Sequence, residues 1–236
     1  MRVLLWDIDG TLLRSARTGA FKDYTAPMLE SVFGTAGRLA EMSVSGMTDL
    51  QIACEALCGE GFTHEQVRER VGLLRERYML EFERAVRASG DEPMFQLLPG
   101  VREILQAVEA HPRYVSALLT GNIEPAAYLK LRLVGLSDFF RLPGAFGDDS
   151  HDRRDLPPLA AERISRHLNL ALRPEQFIVI GDTPNDIACA RHFGARAVAV
   201  ATGRLNDAET LRPHHPDAIL PDLSDTELVL STFDRL

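Results

Sequence analysis

Short apolar runs alternate with longer amphipathic stretches over most of the chain, and this pattern predicts its secondary structure. Runs of strand length, each closed by a turn signal or a polar residue, occur at Val3–Trp6, Tyr114–Leu119, Phe177–Ile180 and Ala197–Val200, with a weaker run at Ala218–Leu220. Helical spacing of apolar residues occurs at Val101–Ala110, Ile123–Val134, Pro158–Leu168 and Asn185–Phe193. Buried strands alternating with helices predict an α/β fold with a parallel sheet.

The stretch from residue 15 to residue 94 differs, because no run in it predicts a strand. It predicts helices at Ala16–Phe33, Asp49–Leu57 and His64–Ala88, the last begun by a capping box of Thr63 and Gln66. An all-helical stretch of this length predicts a cap, residues 15–94, inserted into a core of residues 1–14 and 95–236. Arg14–Ser15 and Asp91–Pro93 are the expected linkers. Helices packed simply on one face of the sheet are the alternative.

Composition narrows the class of protein. The net charge of −8 argues against a general nucleic-acid binder, which needs a basic surface. No apolar run approaches membrane-spanning length, and the short apolar start is not typical of a signal peptide. The three cysteines form neither a disulfide framework nor a zinc motif. We therefore expect a cytoplasmic protein without a nucleic-acid or membrane partner.

Two aspartates stand directly after the first predicted strand. Asp7 and Asp9 are one residue apart in VLLWDIDGTLL, so an extended chain points both side chains the same way. Ligands of open α/β sheets bind at this end of the strands, and close carboxylates repel unless a cation or a shared proton relieves them. The pair suggests a hard divalent metal, one nucleophile and one acid/base group. An Asx turn without chemistry is the alternative.

Two later strands also end in polar residues. Thr120, Gly121 and Asn122 offer a hydroxyl and the free N–H groups of a helix start, which suit an anion, although a plain side-chain turn is the alternative. Asp182 is placed to share a metal with Asp7. Asp186 either orients a ligand or a metal-bound water, or completes a helix cap without function.

A phosphate in a pocket with four carboxylates would also need a fixed cation. The loop from residue 147 to residue 155, GDDSHDRRD, contains two arginines, and arginine matches phosphate geometry. We expect Arg153 in this role, with Arg154 as the second choice. The two lysines of the chain, Lys22 and Lys130, look badly placed, and Lys130 fits a structural residue of its helix.

A loop of the helical stretch, Ser43–Asp49, is a candidate specificity element. Gly46 would allow close backbone approach, and Thr48 would cap the next helix. Both are predicted to contact substrate, together with Gly121 and Asn122. A plain connection between helices is the alternative.

These elements, in this order, resemble the motifs of the haloacid dehalogenase superfamily of hydrolases. Asp7-Ile8-Asp9-Gly10-Thr11 is similar to the first motif, Thr120 to the second, and Gly181-Asp182 with Asp186 to the fourth. The helical insertion resembles the cap of the phosphoglycolate phosphatase-like branch. The third motif departs from the family pattern, which has Lys where we place Arg153. The resemblance covers essentially the whole chain and implies a Rossmann-like parallel sheet core with an all-helical cap.

The resemblance also implies a chemistry, that of a Mg²⁺-dependent phosphoric monoester hydrolase working through an aspartyl-phosphate. Asp7 would be the nucleophile, Asp9 the general acid and base, and Thr120 and Arg153 would hold phosphate oxygens. The metal would be bound by Asp7, the Asp9 backbone carbonyl and Asp182, with Asp186 beside it. The expected substrate is a small phosphorylated metabolite, phosphoglycolate-like or a sugar phosphate.

Other activities of the same fold remain open at this point. A phosphomutase, a pyrophosphatase and a non-catalytic binding protein are the alternatives. Asp9 disfavours a dehalogenase, and a phosphonate hydrolase needs a cap lysine that only Lys22 offers. No feature of the sequence indicates an oligomeric state.

Overall fold

A five-stranded parallel sheet forms the centre of the computed structural model, which describes residues 1–236. The chain has seven strands: β1 (Arg2–Trp6), β2 (Leu13–Ser15), β3 (Phe95–Leu97), β4 (Tyr114–Leu118), β5 (Phe177–Gly181), β6 (Arg196–Val200) and β7 (Ala218–Leu220). The sheet has the order β4-β1-β5-β6-β7, and each neighbouring pair is parallel. The predicted α/β fold with a parallel, Rossmann-like sheet is confirmed.

Ten helices connect or flank these strands. They are α1 (Lys22–Phe33), α2 (Asp49–Leu57), α3 (His64–Arg68), α4 (Val71–Ser89), α5 (Val101–Glu109), α6 (Glu124–Leu133), α7 (Leu156–Leu168), α8 (Pro184–Phe193), α9 (Ala208–Leu211) and α10 (Thr226–Arg235). No helix is both long enough and apolar enough to cross a membrane.

Strand β1 separates two apolar clusters, because side chains alternate between the faces of a sheet. Leu4 and Trp6 belong to a cluster of 43 buried residues, and Val3 and Leu5 belong to a second cluster of 18. All four side chains are fully buried. Strand β1 is therefore covered on both faces. Its buried position fixes where the next residues, from Asp7 onward, emerge at the carboxyl edge of the sheet.

The larger cluster also contains apolar residues of the helical stretch, among them Tyr24, Leu57 and Phe82. Apolar residues of the helical stretch are thus continuous with the cluster on the Leu4 and Trp6 side of the sheet. The boundaries of a cap at residues 15–94 and a core at residues 1–14 and 95–236 stay a prediction.

The expected linker Arg14–Ser15 is in fact part of strand β2. It pairs antiparallel with β3, with Leu13 opposite Leu97 and Ser15 opposite Phe95. Three residues are too short for a clear alternating pattern, so the sequence alone did not reveal this ribbon. The two connections to the helical stretch are therefore tied to each other by backbone hydrogen bonds.

Two helix boundaries in the same stretch also differ from the prediction. The first helix begins at Lys22 rather than Ala16, after Gly19 with its φ of +76°. The third predicted helix is broken into α3 and α4 at Arg70, which leaves helical geometry with φ −99° and ψ 11°. The capping box of Thr63 and Gln66 is present as predicted.

Candidate active site

Three carboxylates converge at the carboxyl ends of the two central strands. Asp7 follows β1 directly, and its N–H donates to the carbonyl of Ile180 in β5. Asp182 follows β5, and Asp186 lies in the first turn of α8. Carboxylate oxygens of these three residues lie within 4.8 Å of one another, and all three side chains are buried.

Such a cluster is electrostatically costly without a cation. Burial raises the pKa of Asp7 from 3.8 to about 7, against the opposing charge of Arg153, and the charges of Asp186 and Asp9 add to the rise. Burial, followed by the charge of Asp7, also raises the pKa of Asp182 well above its ordinary value. A hard divalent ion with oxygen ligands would relieve both effects, so the donor set fits Mg²⁺.

Glycines make room for the Asp182 carboxylate. A Cβ atom at Gly10 would lie 2.3 Å from Asp182 Oδ2, and one at Gly203 would lie 2.2 Å from the same atom. Gly10 also has φ +89°, a backbone conformation that favours glycine. Gly203 had no place in the sequence interpretation, because it lies in a loop after β6 with no motif around it.

Arg153 is the cation of this cluster. Its Nη2 donates to Asp7 Oδ1 at 3.0 Å and to Asp186 Oδ1 at 2.5 Å, and the side chain is 6% exposed. Arg154 instead pairs with Asp152 and is 57% exposed. A short 3₁₀ turn at Arg153–Asp155 sends the two neighbouring side chains in different directions. The structure therefore places Arg153, and not Arg154, against Asp7.

Asp186 forms the helix cap that the sequence left open as one of its two roles, and it also contacts Arg153. Its Oδ2 accepts from the N–H and the hydroxyl of Thr183, which completes a capping box at the start of α8. Its Oδ1 accepts from Arg153. The helix cap therefore fixes a carboxylate that in turn holds the site's arginine.

A second polar network surrounds Asp9, the other aspartate of the first motif. Asp9 Oδ2 accepts from Asn122 Nδ2 at 2.8 Å and from Lys130 Nζ at 2.6 Å. Asn122 also donates to Thr120 Oγ1 at 2.8 Å, and its Oδ1 accepts from Lys130 at 2.6 Å. Thr120 and Asn122 thus lie in one hydrogen-bonded network with Asp9 and Lys130, and their predicted roles stay predictions.

The interpretation of Lys130 as only a structural residue of its helix is wrong, because its ammonium group lies in this network. A signal for it exists in the sequence. Lys130 falls on the buried stripe of α6 with Ala126, Ala127 and Leu131. A lysine on an apolar stripe needs a buried acceptor, and a carboxylate at the neighbouring strand end supplies it.

The loop at residues 43–49 lies against the core. Gly46 has φ +72°, and its carbonyl accepts from Asn185 Nδ2 at 3.0 Å and from Arg153 Nη1 at 3.3 Å. The N–H of Asp49 donates to the Gly121 carbonyl at 2.7 Å. Gly121 itself leaves no space, because a Cβ there would lie 2.1 Å from the Met47 carbonyl oxygen.

Two residues of this loop accept hydrogen bonds from backbone N–H groups at the starts of helices. Thr48 is buried and accepts from the N–H of Gln51 at 3.0 Å, so it caps α2 as expected. It does not line the cavity, and this placement does not support a substrate contact by Thr48. Asp49, which the sequence interpretation did not single out, accepts from the N–H of Ile123 at 2.8 Å. Burial raises the pKa of Asp49 to about 7, against the charge of Lys130.

A cavity of about 500 Å³ opens between the helical stretch and the strand ends. Its wall includes the predicted site residues Asp7, Asp9, Gly46, Thr120, Gly121, Asn122, Arg153 and Asp182. Tyr24 and Tyr78 of the helical stretch line the same cavity. The Tyr24 hydroxyl is buried and has no hydrogen-bond partner. The volume suits a small molecule.

Comparison with known proteins shows what this chain is similar to. A family model described as HAD-hydrolase-like, where HAD stands for haloacid dehalogenase, matches residues 153–226. The phosphoglycolate phosphatase of Pectobacterium atrosepticum is 27% identical over 225 residues, which cover 95% of this chain and 90% of that protein. The chain is therefore similar to proteins of the haloacid dehalogenase superfamily, as expected from its sequence.

Further comparisons agree with this similarity to the haloacid dehalogenase superfamily. Pyrophosphatase PpaX of Oceanobacillus iheyensis is 27% identical over 130 residues, 54% of this chain, and the match spans only 56% of that relative. The crystal structure of β-phosphoglucomutase from Clostridium difficile shares the fold, with a TM-score of 0.69, 16% identity and coverage of 100% and 98% of the two chains. The predicted resemblance, including its phosphoglycolate phosphatase-like branch, is confirmed.

Proposed function

We propose that this haloacid dehalogenase-type phosphatase hydrolyses a small phosphate ester with Mg²⁺ through an aspartyl-phosphate on Asp7. One observation carries the proposal: Asp7, Asp182 and Asp186 converge at the strand ends with Arg153 on Asp7 and Asp9 close by. This arrangement offers a nucleophile, a metal site, a fixed cation and an acid/base group around one cavity.

The metal would be held by Asp7, Asp182 and the Asp9 backbone carbonyl, with Asp186 beside them. When bound, Mg²⁺ would neutralise charge on the phosphoryl oxygens and on the carboxylates. The chain's own cation, Arg153, already lies at Asp7 and would remain beside the phosphoryl group during transfer. Thr120 is buried in the cavity wall, and its hydroxyl would donate to a phosphoryl oxygen.

The reaction would proceed in two displacements at phosphorus. In the first, a carboxylate oxygen of Asp7 forms a bond to phosphorus, the bond to the ester oxygen breaks, and Asp9 gives that oxygen its proton. In the second, Asp9 takes a proton from water as the water oxygen bonds to phosphorus, and the bond to Asp7 breaks. Inorganic phosphate leaves, and both aspartates return to their starting forms.

The cavity supports a small metabolite as substrate. Its wall combines the reacting residues with Tyr24, whose hydroxyl lacks a partner, and Tyr78. Aromatic faces with one free hydroxyl suit the organic part of a small polar ester. Gly46 and Gly121 also line the cavity and would bring backbone groups close to the substrate.

The test is phosphate release from a panel in the presence and absence of Mg²⁺. The panel contains phosphoglycolate, sugar phosphates, nucleotides, pyrophosphate and p-nitrophenyl phosphate. We expect Mg²⁺-dependent release from at least one ester, with chelator abolishing it. Release from pyrophosphate alone would assign the pyrophosphatase alternative, and an isomerised sugar phosphate without free phosphate would assign the mutase. No turnover of any compound would favour the non-catalytic protein.

A further inference from the structure

The proposed phosphoryl-transfer steps give no role to Lys130. Among the cations that line the cavity and have no role in those steps, Lys130 is the most deeply buried. It lies in α6, its side chain is 5% exposed, and its ammonium donates to Asp9 and Asn122. Burying an ammonium group is costly unless its donors find acceptors. Both acceptors here belong to the site, so the position of Lys130 is explained by the site and not by its helix alone.

The two carboxylates of the first motif have separate cations. Arg153 pairs with Asp7, and Lys130 pairs with Asp9. Lys130 makes no hydrogen bond to Asp7, and Arg153 makes none to Asp9. A function for Lys130 must therefore pass through Asp9 or through the cavity that it lines.

The hydrogen bonds on Asp9 fall on one oxygen only. Lys130 and Asn122 both donate to Oδ2, while Oδ1 accepts no hydrogen bond. Asp9 is 41% exposed in its side chain and lines the cavity. Two donors on one oxygen fix the rotation of the carboxylate and leave the second oxygen free to exchange a proton.

Lys130 is itself held from several sides. Asn122, one of its acceptors, is tied to Thr120, and the ring of Phe95 lies 5.5 Å from the ammonium. Burial would lower the pKa of Lys130, but the charge of Asp9, its hydrogen bond and the neighbouring Tyr24 and Asp49 together outweigh burial and hold the pKa above its usual value. The donor on Asp9 is therefore a fixed, charged one.

We infer that Lys130 is a positioning residue for Asp9, holding Oδ2 together with Asn122 so that Oδ1 faces the leaving oxygen and the hydrolytic water. The inference rests on the proposed phosphatase function. It assigns a task to a lysine outside the four motifs. Misplacing an acid/base group by a fraction of an ångström slows proton transfer without a comparable loss of substrate binding.

The first experiment compares the wild type with Lys130→Met, which keeps the stem and removes the charge. On the best alkyl phosphate of the panel we expect kcat to fall about 10-fold or more, with KM within about 3-fold. Lys130→Arg should recover part of kcat, because a cation remains beside Asp9. Arg132→Met, on the exposed face of the same helix, is the matched control and should change neither constant.

The second experiment asks whether Lys130 acts through Asp9. Residues that act as a unit lose activity non-additively, so Lys130→Met in an Asp9→Asn background should cost no further kcat. If the fold-loss of kcat in the double variant equals the product of the two single-variant losses, Lys130 works independently of Asp9. Circular dichroism and a thermal melt of each variant separate a folding defect from a kinetic one, and Lys130→Arg provides a folded variant if Lys130→Met does not fold.

The outcomes distinguish this inference from the proposed function. An active wild type with unchanged kinetics in Lys130→Met and Lys130→Arg overturns the inference and leaves the phosphatase intact. A large rise in KM with unchanged kcat also overturns it, because Lys130 would then bind substrate directly. A wild type that releases no phosphate from any panel compound overturns the proposed function and the inference with it.

Discussion

Nη2 of Arg153 lies 3.0 Å from Oδ1 of Asp7, and both side chains are buried. The same nitrogen also contacts Asp186, whose other oxygen is held by Thr183 at the start of α8. The arginine is thus locked in place by a helix cap on one side and contacts the proposed nucleophile on the other. A guanidinium held in this way is set in place before the phosphoryl group arrives.

Replacement of Arg153 should lower the catalytic rate while the parallel sheet still folds. We expect Arg153→Ala to lower kcat/KM by about 10²-fold or more, as loss of one partner for transition-state charge typically does. Arg153→Lys should restore part of the activity, because a point charge replaces the planar guanidinium imperfectly. Steady-state kinetics on the best panel substrate provide the measurement. Arg154→Ala is the matched control, and an equal loss in that variant would contradict the assignment.

The nucleophile is tested by trapping the covalent intermediate. Asp7→Asn keeps the size of the side chain but removes the attacking carboxylate, so we expect phosphate release to fall to background. Acid-quenched wild type should carry a phosphoryl group on Asp7, detected by mass spectrometry of peptides, and the variant should carry none. Asp138→Asn, at an exposed position, is the control. Substantial turnover by pure Asp7→Asn would reject the covalent mechanism.

The elements nearest the strand ends were predictable from the sequence because their signals are local. Asp7 follows a buried strand directly, and Asp182 does the same after β5, so parallel pairing alone brings them to one edge. The preference for Arg153 over Arg154 also depended on local geometry, and the structure has Arg153 against Asp7. Their catalytic roles remain predictions.

The residues that the sequence interpretation missed depend on contacts between distant segments. Lys130 reaches Asp9 across 121 positions of sequence, and Asp49 reaches Ile123 across 74. Gly203 matters only because Asp182 packs against it. Periodicity and short motifs contain no information on which helix lies over which strand end, so these pairings required the fold.

Gly46 offers a test of how the loop at residues 43–49 is seated. Its φ of +72° strains any other residue, and a Cβ would lie 2.6 Å from Thr183 Oγ1. Gly46→Ala should therefore displace the loop, weaken the hydrogen bonds to its carbonyl, and destabilise the protein by about 1–3 kcal/mol. We expect KM to rise for the best panel substrate. Thermal melts and kinetics measure the two effects.

Gly61→Ala is the control for Gly46→Ala, because it separates the effect of backbone strain from the effect of a steric clash. Gly61 has φ +82° but nothing within 4 Å of an added Cβ, so it shares the backbone strain without the clash. It should lower stability while leaving KM unchanged. If both variants raise KM equally, the loop contact is not the cause.

The last prediction concerns pH and metal. Burial raises the pKa of Asp7 to about 7 in the folded protein, while the unfolded value is near 3.8. An acid whose pKa is raised by folding stabilises the fold fully below its unfolded pKa and loses that contribution as pH rises through its folded pKa. Without divalent ions, the free energy of unfolding should therefore decline between about pH 4 and about pH 7 on account of Asp7.

Mg²⁺ should reverse this decline, because it binds the ionised carboxylates and not their protonated forms. We expect millimolar Mg²⁺ to raise Tm more at about pH 8 than at about pH 5, relative to the same protein in chelator. Differential scanning fluorimetry at the two pH values measures the difference. Asp7→Asn removes one titrating ligand and should reduce both the decline in chelator and the gain with Mg²⁺. A Tm gain that is equal at both pH values, or that survives in Asp7→Asn, would show that the ion binds elsewhere on the acidic surface.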